Sequence, residues 1–237
     1  MTKKIIFGSL LILLISIETY AQSKRVDRMC DEFIQSAFLS VNNQTFFIVK
    51  WENKDTLKYH IEGKMDFISE KSWNVFVNEV GMLVGMLIVE TANPAEADIQ
   101  LYFGELIDYF NKYNMSYKSE LLLNDNFDYW SSRRYNKQNQ LLFSSFCIVT
   151  SKTKTNDRGV YNIKRLFIKS LGLLGVVDSR RSLFNANSAE PPTGLYIQDK
   201  RLIKLFYSDA IKAGMNLDEV NKALETLDLE AHYKEKL

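Results

Sequence analysis

The stretch from Leu141 to Gly172 constrains the fold more than any other part of the chain. LLFSSFCIVTS (141–151) is an apolar, β-prone run and reads as a strand. The polar segment KTKTNDRG follows, in which Asn156 or Asp157 is placed to cap a helix. That helix carries Ile163, Leu166, Phe167 and Leu171 on one face, and Gly172 stands where it should end. A strand leading directly into an amphipathic helix needs further strands beside the first and a layer for the helix to cover. The upstream sequence supplies both. Val26, Met29, Cys30, Phe33, Ile34, Ala37 and Phe38 recur at helical spacing, which predicts a helix over about 24–40 that Asn42-Asn43 breaks. TFFIVKW (45–51) and TLKYHIEG (56–63) are β-rich runs joined by the turn-like Glu52-Asn53-Lys54-Asp55, an expected hairpin.

Ser69 is placed to cap a helix bearing Trp73, Phe76, Val77, Val80, Leu83 and Val84. Gly81 and Gly85 in that helix point to close packing against a neighbour. ADIQLYFG (97–104) reads as a third strand, whereas residues 105–140, rich in Tyr, Asn and charge, give no clear period. After a Ser-, Asn- and Pro-rich loop (182–194) come two more helical patterns, one around Leu202, Ile203, Leu205 and Phe206 and one over 217–232. The expectation is an α+β fold with a mixed or antiparallel sheet packed against helices. No repeat or proline-rich linker divides it, so residues 22–237 read as one domain.

The first residues belong to a different kind of segment. Lys3 and Lys4 precede an apolar run from Ile5 to Ile17, and Thr19 and Ala21 are small residues at the −3 and −1 positions of a cut after Ala21. This is the plan of an export signal. The run is shorter than the roughly 20 apolar residues that a spanning helix needs. The expectation is a bacterial protein that is secreted or periplasmic, with no integral span after cleavage. Removing residues 1–21 takes Lys3, Lys4 and Glu18 from the 30 basic and 29 acidic residues, leaving 28 of each. A neutral mature chain argues against nucleic acid as a partner. Cys30 and Cys147 are the only cysteines. In an oxidising compartment they either pair or stay as two small buried hydrophobes; spacing does not decide between these.

The block from Ser170 to Met215 carries a family resemblance. Leu171-Gly172-Leu173, Asp178-Ser179, Ser182-Leu183-Phe184, Asp199, Leu205-Phe206-Tyr207 and Gly214-Met215 follow one another in the order and spacing of a family of secreted, zincin-like proteins of unknown function. The chain resembles that family over about residues 45–216, most closely in the last third. The resemblance implies a zincin-like domain, built like a zinc metalloprotease. In the HExxHxxGxxH frame of such a site, two histidines one helical turn apart bind zinc and the glutamate acts as general base. Here RLFIKSLGLLG (165–175) keeps Gly172, but Arg165 and Lys169 fill the two histidine positions, Leu166 that of the glutamate, and Gly175 that of the third histidine. Arginine cannot ligate a metal, and a pair of cations repels one. His60 and His232, the only histidines, read as ordinary hydrogen-bonded side chains. No metal and no cofactor are expected.

Three uses of such a chain remain open. A zincin-like scaffold without its metal could hold an unidentified extended peptide or envelope component against a sheet edge, where backbone hydrogen bonds supply the affinity. Alternatively Arg165 and Lys169 form an anion site or part of a hydrolase in place of the metal, with Asp178, Glu190 or Asp199 as acid or base. Against this, Lys164, Arg165 and Lys169 fit the solvated face of an amphipathic helix, the reading that periodicity favours. In a purely structural reading, Leu171, Leu173, Phe184, Leu205 and Phe206 form core, Gly172 ends a helix with positive φ, and Asp178 and Ser182 cap loops.

Overall fold

The β-prone runs assemble into one five-stranded mixed sheet between helices, seen in a computed structural model that describes residues 24–38, 40–41, 44–45, 47–115, 128–153, 155–185 and 192–235. The expected leader (1–21), Asn42-Asn43 and Glu190 lie outside the described residues. Helix α1 (24–37) comes first. A two-residue ladder, β1 (Ser40–Val41) with β2 (Gln44–Thr45), follows it. Next come β3 (Thr56–Glu62), α2 (Glu70–Val84), β4 (Leu87–Glu90), β5 (Ile99–Gly104) and α3 (Leu106–Lys112). The remainder is β6 (Tyr129–Tyr135), β7 (Leu141–Val149), α4 (Asn156–Ser170), α5 (Ile197–Phe206), α6 (Leu217–Thr226) and α7 (Leu229–Lys234). The α+β class holds. The sheet order is β4-β3-β5-β7-β6: the first four are mutually parallel, and β6 runs antiparallel to β7 at the edge.

The sheet separates two apolar layers because neighbouring strand residues point to opposite faces. In β7, Phe146 and Ile148 enter the large core with Phe33 of α1, Trp73 and Phe76 of α2, Phe167 of α4 and Phe206 of α5. Cys147 and Val149 point the other way, into a smaller cluster with Leu106, Tyr109 and Phe110 of α3. In the large core Trp73 meets the Phe167 ring edge-on at 5.1 Å, and Tyr59 of β3 meets both, at 6.1 and 5.9 Å. Burying each such ring is worth roughly 1.5–3 kcal/mol. These contacts fix α2 and α4 side by side over the sheet.

Several local expectations hold. Ser69 caps α2, its Oγ accepting from Ser72 N–H at 3.2 Å. Others need correction. The hairpin between 45–51 and 56–63 does not form; β3 lies between two parallel partners, β4 and β5. Residues 47–51 instead run as an extended strap whose partners are distant in sequence. Ile48 exchanges backbone hydrogen bonds with Met215 and Gly214, and Leu141 N–H donates to Lys50 O. The Trp51 indole N–H donates to Ser170 O at the end of α4. Helix α4 is capped by Thr155, one residue before the expected pair, with its Oγ1 accepting from Arg158 N–H. The pattern over 217–232 is two helices, because Asp228 starts a new one by accepting from Ala231 N–H at 2.9 Å. Gly81 does pack closely: a Cβ there would meet Met86 O at 2.9 Å. Gly85 does not, and instead ends α2 with φ 69°. Among the described residues no helix is long and apolar enough to cross a membrane.

Candidate functional site

Helix α4 follows β7 and lies over the sheet face where β6 presents Tyr129, Ser131 and Arg133. Almost all of it is buried, including the polar residues Asn162, Lys164, Arg165 and Lys169. The expected solvated face is therefore absent. Arg165 is 4% exposed and Lys169 9%. The cations are covered because β6 closes one flank of the helix and the loop after α4 folds back over its end. Lys164 lies under a third segment, donating to Thr193 O at 2.5 Å.

The two cations have different surroundings. Lys169 Nζ donates to the carbonyls of Leu174 and Gly175, tying the loop to the helix that it leaves. Burial pushes its ammonium down to about 7, with help from the positive charges of Arg165 and Arg133. Arg165 reaches β6: one terminal nitrogen donates to Tyr129 Oη at 3.1 Å, and the guanidinium sits 5.7 Å from the Tyr129 ring and 5.9 Å from that of Tyr161. Its Nε is buried and meets no acceptor. Arg133 completes the group, its Nε donating to Lys169 O at 3.3 Å and a terminal nitrogen to Ser131 Oγ at 3.2 Å. Burial lowers Arg133 to about 10, which leaves it charged at neutral pH. Among the described residues none of the three is in an ion pair. The nearby carboxylate, Asp128, accepts from Asn162 and faces Arg158 at 3.9 Å.

The residues that the resemblance aligns with a metal site disfavour one. Leu166, aligned with the general base, is core. At Gly175, aligned with the third ligand, a Cβ would lie 1.7 Å from Gln35 O, so no side chain fits there. The backbone is pinned to α1 at that point, Gly175 N–H donating to Ser36 O and Val176 N–H to Gln35 O. His60 Nδ1 pairs with Thr91 O and His232 Nε2 with Arg201 O, on different elements. Among the described residues no group of three or more His, Cys, Asp or Glu is placed to hold a metal ion.

The carboxylates expected as acid or base do not join Arg165. Asp178 is exposed in the loop after α4. Asp199 is fully buried at the start of α5, where it accepts from Ser182 Oγ, Leu183 N–H and Tyr196 N–H. Its role is to pin the 182–184 loop to the helix, so Ser182 does cap, in partnership with Asp199. Cavities of about 520 Å³ beside Ser208 and His232 and of about 210 Å³ beside Arg28, Arg201 and Tyr233 lie elsewhere, lined by no residue of α4 or β6.

Arg133 and Tyr129 are the site residues that sequence reasoning missed. YWSSRRY places like residues next to each other, so it shows no alternation of faces. Its three aromatics were the available β signal. No protein-family model matches the chain, and no curated protein matches it.

Proposed function

We propose that this is an exported, zincin-like binding protein without metal chemistry, which takes an extended peptide along the free edge of β6. The carrying observation is the burial of Arg165 and Lys169, the residues that the resemblance aligns with metal ligands, against the antiparallel edge strand. The order of parts supports the zincin-like reading: an antiparallel edge strand, then a strand running into the helix with the metal-site frame, then Gly172. Among the described residues no strand pairs with the outer side of β6, leaving backbone donors and acceptors for a ligand strand. The basic and apolar leader pattern supports export, into the periplasm or beyond the cell.

Elemental mass spectrometry of the mature chain (22–237), dialysed against trace zinc, tests this reading. The expected result is no stoichiometric metal. One zinc per chain would overturn it, because the residues in the frame cannot provide a ligand set.

A further inference from the structure

Arg133 of β6 meets Arg165 and Lys169 of α4 at Lys169, which feels both guanidinium charges, and among the described residues none of the three is in an ion pair. A buried ion costs on the order of several kcal/mol after relaxation unless it is paired. Lys169 is satisfied by two carbonyls. The guanidinium groups are not: each has five N–H donors. Arg165 meets one described acceptor, the Tyr129 hydroxyl, and its buried Nε meets none. Arg133 meets one carbonyl and one hydroxyl. Helix α4 ends beside the group, but its C-terminal dipole is a weak compensation for three cations. Tyr129 and Arg133 keep part of their surface in solvent, so the group opens along β6.

We propose that Arg165 and Arg133 bind one carboxylate between α4 and β6, and that this carboxylate is the free C-terminus of an extended peptide lying on the β6 edge. The ligand class follows from two facts together. The guanidinium fork matches a planar carboxylate in a bidentate manner. The strand that carries Arg133 is one of the two edge strands of the sheet, and among the described residues nothing pairs with its outer side, so a peptide strand added there can end at the cations. Tyr129 orients Arg165 from the same face of the strand. This rests on the edge-binding reading above for the source of the carboxylate, though not for the anion site itself.

Calorimetric titration separates the two. The probes are an acetyl-capped hexapeptide of alternating Thr and Val as free acid, the same peptide as C-terminal amide, and sodium acetate. The proteins are the mature chain and its Arg165→Gln and Arg133→Gln variants; Arg133 keeps part of its surface in solvent, so its variant disturbs packing less than Arg165→Gln does. The expected result is that the acid binds at least about tenfold more tightly than the amide, as one lost charge-assisted pair implies, and that each variant erases the difference. Acetate binding that the variants abolish, with neither peptide bound, would keep the anion site and overturn the peptide source. Acid and amide binding alike, with no acetate effect, would overturn the anion site and leave the edge reading standing. No binding of any probe would overturn both.

Discussion

Asp199 shows how one buried side chain ties pH to stability here. Burial raises its carboxyl from 3.8 to about 6, although Ser182 Oγ and the N–H groups of Tyr196 and Leu183 favour the charged form; the charge of Glu32 adds to the rise. The folded state therefore holds the proton more tightly than the unfolded chain. The resulting stabilisation is complete below about pH 4 and is lost as pH rises through about 6. At about 1.4 kcal/mol per pH unit, the rise corresponds to roughly 3 kcal/mol. Asp199→Asn removes the titration, leaving other groups common to both proteins. Urea melts at pH 4 and pH 7 should show wild type losing stability relative to the variant by up to that amount. A difference between the two proteins that stays constant with pH would refute the assignment. The sequence offered Asp199 only through the family resemblance and as a candidate acid or base; its place at the head of α5 and its burial were not legible, because the 182–184 loop that covers it carries no period that fixes where it folds.

At the scale of elements, the turn that ends α4 depends on the strap at 47–51. Gly172 has φ 111°, and a Cβ there would lie 1.9 Å from Val49 O, a backbone atom that cannot swing aside. Gly172→Ala combines an unfavourable backbone conformation with a collision, and a loss of at least about 3 kcal/mol is expected. Gly85 offers the control. Its φ is 69°, but nothing lies within 4 Å of its Cβ position. Gly85→Ala should cost only about 1 kcal/mol, the backbone contribution alone. Chemical denaturation of both variants checks the contrast; equal losses would mean that the strap moves away. The same strap explains the failed hairpin. TFFIVKW has strand composition, but composition names no partner, and its partners are Gly214, Met215 and Leu141. Strand β4 was missed for another reason: LIVE follows a helix that already reads GMLVGM, so the apolar run conceals the change of period. Strands β5 and β7 were legible because longer apolar runs fill their cores.

For the whole molecule, the sheet is a partition, and the two cysteines lie on opposite sides of it. Cys30 on α1 packs against the large core, whereas Cys147 belongs to the cluster under α3. Sequence placed Cys30 on an apolar helix face and Cys147 in an apolar strand, both correctly. It did not reveal which face of β7 a given residue takes, and in a strand apolar on both sides parity has no visible marker. Cys147 points opposite to Phe146 and Ile148, so a bridge to Cys30 would have to pass through the sheet. Both thiols are free. Burial pushes Cys147 up to about 12 and also raises Cys30, with Asp27 and Asp31 adding to the latter, so neither is a ready thiolate near neutral pH. Export into an oxidising compartment would therefore leave them unpaired, because geometry and not redox potential separates them. Titration of the mature chain with an aromatic disulfide reagent, without reductant, should detect both thiols in guanidinium and leave Cys147 silent in the native state. Cys30, half-buried on its helix, should react slowly in the native state. If both thiols were absent in denaturant and returned on reduction, α1 would have to approach the opposite face of the sheet, and the two-layer arrangement that positions β6 against α4 would fail with it.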